Sequence, residues 1–133
     1  HKGLFYDEKY GWWYVTKSKI AKDYTGLVEN SKGWWLVDNG KIRFNYTGLY
    51  HDKTYGWWYL EKSFVNKQFT GLYNDANCGW WYVHDGKVDF TKTLIAKNQY
   101  GTWYVCKDKV MLDYSGTVTI DGKEYSVKKG KIQ

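Results

Sequence analysis

The residues able to do covalent or metal chemistry are few and scattered: three histidines, His1, His51 and His84, and two cysteines, Cys78 and Cys106. None of the histidines has a partner at the spacing of a transition-metal motif, so no metal site is expected. No serine or cysteine stands in a recognisable relation to a histidine for nucleophilic catalysis. Asp and Glu recur at variable places, as solvated face residues do, and mark no carboxylate pair. The chain is therefore expected to be no enzyme and to need no cofactor. The two cysteines occupy unlike positions of the repeat described below, about five strand steps apart. That exceeds the Cα separation of a disulfide, which stays below about 7 Å, so free thiols are expected.

The chemistry that is present in quantity is aromatic. The 133 residues include 9 Trp and 14 Tyr, and 21% are aromatic. Indole and phenol rings stack on the C–H faces of sugars and attract quaternary ammonium groups by cation–π interaction. Each such contact contributes about 1 kcal/mol, and several of them facing a repetitive partner add up through effective concentration.

Rings used this way need a repeated scaffold, and one is visible. Gly-Trp-Trp begins at Gly11, Gly33, Gly56 and Gly79, and a Gly-Thr-Trp version at Gly101, at spacings of 22, 23, 23 and 22 residues. An aromatic-Thr/Ser-Gly step follows in four copies: Tyr24-Thr25-Gly26, Tyr46-Thr47-Gly48, Phe69-Thr70-Gly71 and Tyr114-Ser115-Gly116. In the fourth copy the step reads Lys92-Thr93, as if one residue were lost. A second period overlies the first: Tyr10, Tyr55 and Tyr100 precede the glycine of the odd copies at 45-residue intervals, where even copies have Lys32 and Cys78. The pattern is that of a duplicated two-hairpin unit.

Within a copy, Trp34-Trp35-Leu36-Val37 runs into Asp38-Asn39-Gly40-Lys41 and returns through Ile42-Arg43-Phe44. Asn-Gly is a strong hairpin signal because a type I′ turn needs positive φ at both central residues. Asp85-Gly86 repeats it, whereas Lys17-Ser18, Lys62-Ser63 and Lys107-Asp108 are poorer turn formers whose hairpins must lean on packing. The expected fold is all-β, a solenoid of tandem β-hairpin repeats with a C-terminal capping hairpin. As a single array, its repeats span roughly 3–25, 26–47, 48–70, 71–92 and 93–115, with the cap at 116–133.

The turn fixes the register, so Val15, Val37, Leu60, Val83 and Val105 should meet Ile20, Ile42, Val65, Val88 and Val110. Neighbouring strand residues point to opposite faces. The valine face carries the second Trp of each copy (Trp13, Trp35, Trp58, Trp81, Trp103) and is the expected core. The leading Trp12, Trp34, Trp57 and Trp80 are expected on a mixed outer face, with Tyr14, Tyr59 and Tyr82 two residues on and Tyr10 and Tyr55 beside them. These nine are the candidate ligand contacts, walling grooves between hairpins. Inter-repeat stacking is the other use such rings could have.

The net charge of +6 favours an anionic partner such as a wall polymer or acidic glycan. Nucleic acid is set aside: no known binding motif is present, and 14 acidic residues are interleaved with the lysines. No apolar run approaches the ~18 residues of a membrane span, so no membrane insertion is expected. The chain enters at His1 in mid-pattern and reads as part of a longer protein.

The unit Gly-Trp-Trp-Tyr-Val-x-Asp-Gly-Lys-Val-x-Phe, followed by Tyr-Thr-Gly-Leu-Tyr, resembles the choline-binding and glucan-binding (YG-type) cell-wall repeats of Gram-positive surface proteins. The resemblance covers roughly residues 3–116. It implies a hairpin solenoid, a secreted or cell-surface location and non-covalent recognition. It also places Trp12, Trp34, Trp57 and Trp80 on one wall of the family's aromatic cage. The second wall is the Trp of a Thr-Gly-Trp step, and here that step ends in Leu27, Leu49 or Leu72, so a two-Trp choline cage is broken in these copies. The expected function is a non-catalytic module that recognises a glycan or cell-wall polymer through its grooves. The alternative is an adhesin for a host protein, such as a mucin-type glycoprotein or an immunoglobulin, with the odd-copy lysines steering encounter.

Overall fold

The computed structural model describes residues 2–133, and the chain divides into two compact units, one ending at Asn66 and one running from Lys67 to Gln133. Each unit is built on three antiparallel hairpins. In the first, Lys2–Asp7 pairs with Gly11–Thr16, Gly26–Asn30 with Gly33–Val37, and Gly48–Asp52 with Gly56–Glu61. In the second, Gly71–Asp75 pairs with Gly79–Val83, Leu94–Asn98 with Gly101–Cys106, and Gly116–Ile120 with Lys123–Lys128. The fold class is the all-β array of repeated hairpins that the repeat predicts.

The long hairpin is not the one that Asn39-Gly40 closes. Each Gly-Trp-Trp strand pairs along its length with the strand before it. The predicted return is only two residues long, as in Lys19–Ile20, Phe64–Val65 and Lys109–Val110, or a single bridge, as between Asp38 and Lys41. Inside that short stretch the predicted register holds, with Val15 opposite Ile20, Leu60 opposite Val65 and Val105 opposite Val110. In the even copies the return stops early because the backbone leaves the extended region at Phe44 and Phe90, with φ of 57° and 63°. In the odd copies it ends in a turn, where the N–H of Tyr24 donates to the Ala21 carbonyl and that of Tyr114 to the Met111 carbonyl. The short strand then serves a second purpose, pairing with the copy before it. Phe64 pairs with Trp35, Lys109 with Trp81 and Lys131 with Trp103.

The turns complete the joint between copies. Lys17-Ser18, Lys62-Ser63 and Lys107-Asp108 adopt the same left-handed geometry as Asn39-Gly40, with φ of 50° and 68° at Lys62 and Ser63. From the second copy on, what holds the turn there is the aromatic-Thr/Ser-Gly step of the preceding copy. The hydroxyls of Thr25, Thr47, Thr70, Thr93 and Ser115 accept the N–H of the first turn residue, Asn39, Lys62, Asp85, Lys107 and Lys129 respectively. The N–H of the second turn residue donates to the carbonyl just before that hydroxyl residue, as from Gly40 to Tyr24 (2.9 Å) and from Ser63 to Tyr46 (2.7 Å). Two hydrogen bonds of about 1 kcal/mol each offset a left-handed penalty of about 1–2 kcal/mol.

At Gly40 there is no room for anything larger. A Cβ would lie 2.7 Å from the Ala21 carbonyl oxygen, on a residue with φ of +84°. Gly40→Ala is expected to destabilise the chain by about 2 kcal/mol, seen as a lower urea midpoint at unchanged slope.

Two details of the repeat differ from the expected reading. The fourth copy has lost nothing at Lys92-Thr93, since Gly33 to Gly48 and Gly79 to Leu94 are equally long and Leu94 simply replaces the glycine. The residue is missing from the hairpin tip, where Gln99-Tyr100 stands in place of Lys53-Thr54-Tyr55. The C-terminal segment is a full sixth copy without tryptophan, complete with a left-handed Lys129-Gly130 turn and a short Lys131–Ile132 return.

From the second copy on the valine column is the core, as expected: Val37, Leu60, Val83 and Val105 are fully buried, and Ile42, Val65, Val88 and Val110 nearly so. In the first copy Val15 is half-buried and Ile20 exposed. The opposite face, however, is not open. Tyr14, Leu36 and Tyr59 are buried as well, because adjacent hairpins pack on it. In the first unit Leu27, Leu36, Leu60 and Val65 form one cluster, with both Trp34 and Trp58 laid against it. Tyr14, Val37 and Ile42 form another, which both Trp12 and Trp35 cover. The two Trp columns therefore share one state, half-buried, and the inward-outward distinction between them fails. The second Trp keeps a hydrogen bond at its rim, from Trp58 to the Tyr55 carbonyl and from Trp35 to the Asn30 side chain. Truncating half-buried Trp58 to Ala should cost about 2 kcal/mol, less than the ~3 kcal/mol of Leu60→Ala, in chemical denaturation.

Candidate functional site: an aromatic cleft between hairpins

In the second unit the fourth and fifth hairpins leave a cleft of about 320 Å³ between them. Trp80 and Tyr100 form its aromatic walls, with ring centroids 6.2 Å apart and planes at 77°. Leu72, Val110 and Leu112 line its apolar floor, and Asn74, Asn98 and Trp103 complete it. Asn98 is held from behind: its side-chain oxygen accepts the N–H of Tyr100 and the indole N–H of Trp103, both at 2.9 Å. That orientation leaves its NH₂ end for a ligand oxygen. Tyr100 is 60% exposed, so its ring offers a face to solvent.

The first unit repeats the pairing with Trp34 and Tyr55, ring centroids 4.6 Å apart and planes at 60°. Tyr55 is anchored through its N–H to Asp52 Oδ2 at 3.0 Å, while Asp52 Oδ1 accepts the N–H of Leu27 from the neighbouring hairpin. In both units, then, the leading Trp of an even copy meets the Tyr before the glycine of the next odd copy.

Four of the repeats, at residues 2–21, 23–43, 45–66 and 68–89, match a family model described as the choline-binding repeat. The chain belongs to the choline-binding repeat family. Among curated proteins no relative matches the chain. As a member of this family it is a non-catalytic binding module for a glycan or cell-wall polymer, secreted or surface-associated. Among the described residues no helix is long and apolar enough to cross a membrane.

Of the three leucines that end the Thr-Gly step, Leu27 and Leu49 are buried in the interior and Leu72 lines the cleft. Of the nine residues expected to contact ligand, Trp34, Tyr55 and Trp80 come together at the cleft positions. Trp57 instead tilts against its cross-strand neighbour His51 at 5.0 Å, and Trp12 against Tyr6 at 5.4 Å. Tyr82 stacks on His84 at 5.9 Å. Tyr14 packs on Tyr24 at 4.8 Å and, like Tyr59, lies inside rather than on the surface. Tyr10 is exposed, with the Lys9 ammonium over its ring. Tyr100, Asn98 and Trp103 were not among the nine. The 45-residue period does mark Tyr100, as the counterpart of Tyr55.

Two further expectations concern the residues first considered for chemistry. Cys78 and Cys106 are free thiols, and burial, reinforced by Asp75, pushes the Cys78 thiol above its ordinary value. His84, which has no partner at the spacing of a metal motif, lies against Asp89 of its own copy and Asp108 of the next. His1 lies outside the described residues.

Proposed function

We propose that the module holds a neutral glycan segment of its wall polymer at two ring pairs, one per unit: Trp80 with Tyr100, which wall the second-unit cleft, and Trp34 with Tyr55 at the matching place in the first unit. The observation that carries this reading is the recurrence of one ring pairing in both units at matching repeat positions. The chemistry of the second-unit cleft supports a sugar: aromatic walls for C–H faces, asparagine amides for hydroxyls, and no charged side chain among the lining residues. Its size, about 320 Å³, suits one or two sugar rings rather than a large ligand. The broken second cage wall removes the arrangement that would surround a quaternary ammonium.

The test is a fluorescence titration with soluble wall-polysaccharide fragments and, separately, with choline. Fragments should change the tryptophan emission, and Tyr100→Ala should weaken that response about tenfold, the loss of one aromatic contact. Choline at the same concentrations should leave the emission unchanged. Wild-type affinity in both Tyr100→Ala and Tyr55→Ala would remove the clefts from consideration.

A further inference from the structure

Beside the ring pairs, the second unit contains an arrangement that glycan binding does not use. His84 precedes the Asp85-Gly86 turn, Asp89 follows the short return strand, and Asp108 is the second turn residue of the next copy. Their ligand atoms all lie within 4.8 Å of one another. His84 Nε2 is 2.9 Å from Asp89 Oδ1 and 3.1 Å from Asp108 Oδ2. An imidazole nitrogen carries one proton at most and donates along one line, yet two carboxylate oxygens crowd this one. We propose that His84, Asp89 and Asp108 bind a single borderline divalent cation of the zinc class, stapling the fourth copy to the fifth.

The first unit supplies an internal control. At the matching positions it has Asp38, Arg43 and Ser63, and Arg43 Nε sits 3.2 Å from Asp38 Oδ2. That joint carries its own cation on a side chain. In the second unit Arg is replaced by Asp, Asp by His and Ser by Asp. The attached cation is gone and three donor groups converge in its place. Lys87 does not restore it, since its Nζ lies 3.7 Å from Asp89 Oδ2, on the carboxylate oxygen that does not face His84.

The donors are already positioned. Asp108 is fully buried, and its carboxylate is oriented by the main-chain N–H groups of Asp89, Phe90 and Lys92 at 2.9–3.0 Å. Lys92 donates to Oδ1, and Asp89 and Phe90 donate to Oδ2, the oxygen that faces His84, so the carboxylate is held in one orientation. The His84 ring is buried and stacked on Tyr82, with planes at 22°. A hydrogen bond from the Thr91 hydroxyl, with His84 and Lys87 adding to it against the opposing effect of burial, holds Asp89 below the usual carboxylate range. Its side chain is 37% exposed, which leaves a solvent side where water can take a fourth coordination position. Tetrahedral bonds of about 2.0–2.2 Å put donors ~3.3–3.6 Å apart. His84 Nε2 stands 2.9 and 3.1 Å from the two carboxylates and all three donors lie within 4.8 Å of one another, so small side-chain rotations would seat the ion. One nitrogen and two carboxylates suit zinc, whereas calcium takes about six to eight oxygens.

The experiment is a calorimetric titration of the tag-free chain with ZnCl₂ at pH 7, paired with thermal melts. One ion should bind per chain, and saturating zinc should raise the melting midpoint by about 5 °C. Asp89→Asn, a change at a partly exposed side chain, and His84→Gln should each weaken binding at least about tenfold. His51→Gln should bind zinc as the wild type does, and CaCl₂ should give no shift. The absence of both heat and shift would overturn the proposal, and so would wild-type zinc affinity in Asp89→Asn.

Discussion

Asp108→Ala is expected to be the most damaging single substitution in the chain, lowering stability by about 4 kcal/mol. The carboxylate is fully buried and accepts three main-chain N–H groups, from Asp89, Phe90 and Lys92. Alanine removes the acceptor and leaves those donors without their partner in a partly buried joint, at up to about 1–3 kcal/mol per orphaned group before any relaxation. The equivalent change in the first unit, Ser63→Ala, deletes one long hydrogen bond, 3.3 Å from the Tyr46 N–H. It should cost about 1 kcal/mol. Urea denaturation of the two variants separates the cases. Equal losses would show that the buried carboxylate does not anchor its joint.

The largest effect on binding is expected from removing both leading tryptophans of the cleft pairs. Trp34→Ala and Trp80→Ala should each weaken binding to long polymer by about tenfold, and the double variant by more than about a hundredfold, because the second contact on one strand acts through effective concentration. Both rings lie half-buried against their neighbours, so each variant should be checked by near-ultraviolet circular dichroism before its affinity is compared. Fragments too short to reach two clefts should lose affinity at one site per substitution and show no such enhancement. A double variant no weaker than either single one would leave only one working cleft.

The fold was legible because its signals are local and repeated. The Gly-Trp-Trp spacing fixed the copies, and the valine column fixed the register through Val15–Ile20, Leu60–Val65 and Val105–Val110. What misled was the strength of Asn39-Gly40 as a hairpin signal. It closes a real turn, but left-handed Phe44 ends the return strand, and the longer pairing lies on the other side. The alternation of faces along a strand was also read correctly but taken too far. It says which side chains share a side and not whether the next copy covers that side, so buried Tyr14 and Tyr59 were placed outside. Tyr100 could have been found from its 45-residue interval to Tyr55. The His84 cluster could not, because Asp108 reaches it from the following copy and no motif spacing encodes that approach.

The joints alternate in kind. Gly40, Gly86 and Gly130 fill them at even copies, while Ser63 and Asp108 fill them at odd copies, opposite the loops in which Phe44 and Phe90 are left-handed. A gene that gained or lost one copy would confront a glycine turn with a loop shaped for a side chain, or force a side chain into the 2.7 Å gap at Ala21. Recombination that preserves every contact must therefore move about 45 residues at a time. Length variants of this array should come in steps of two hairpins.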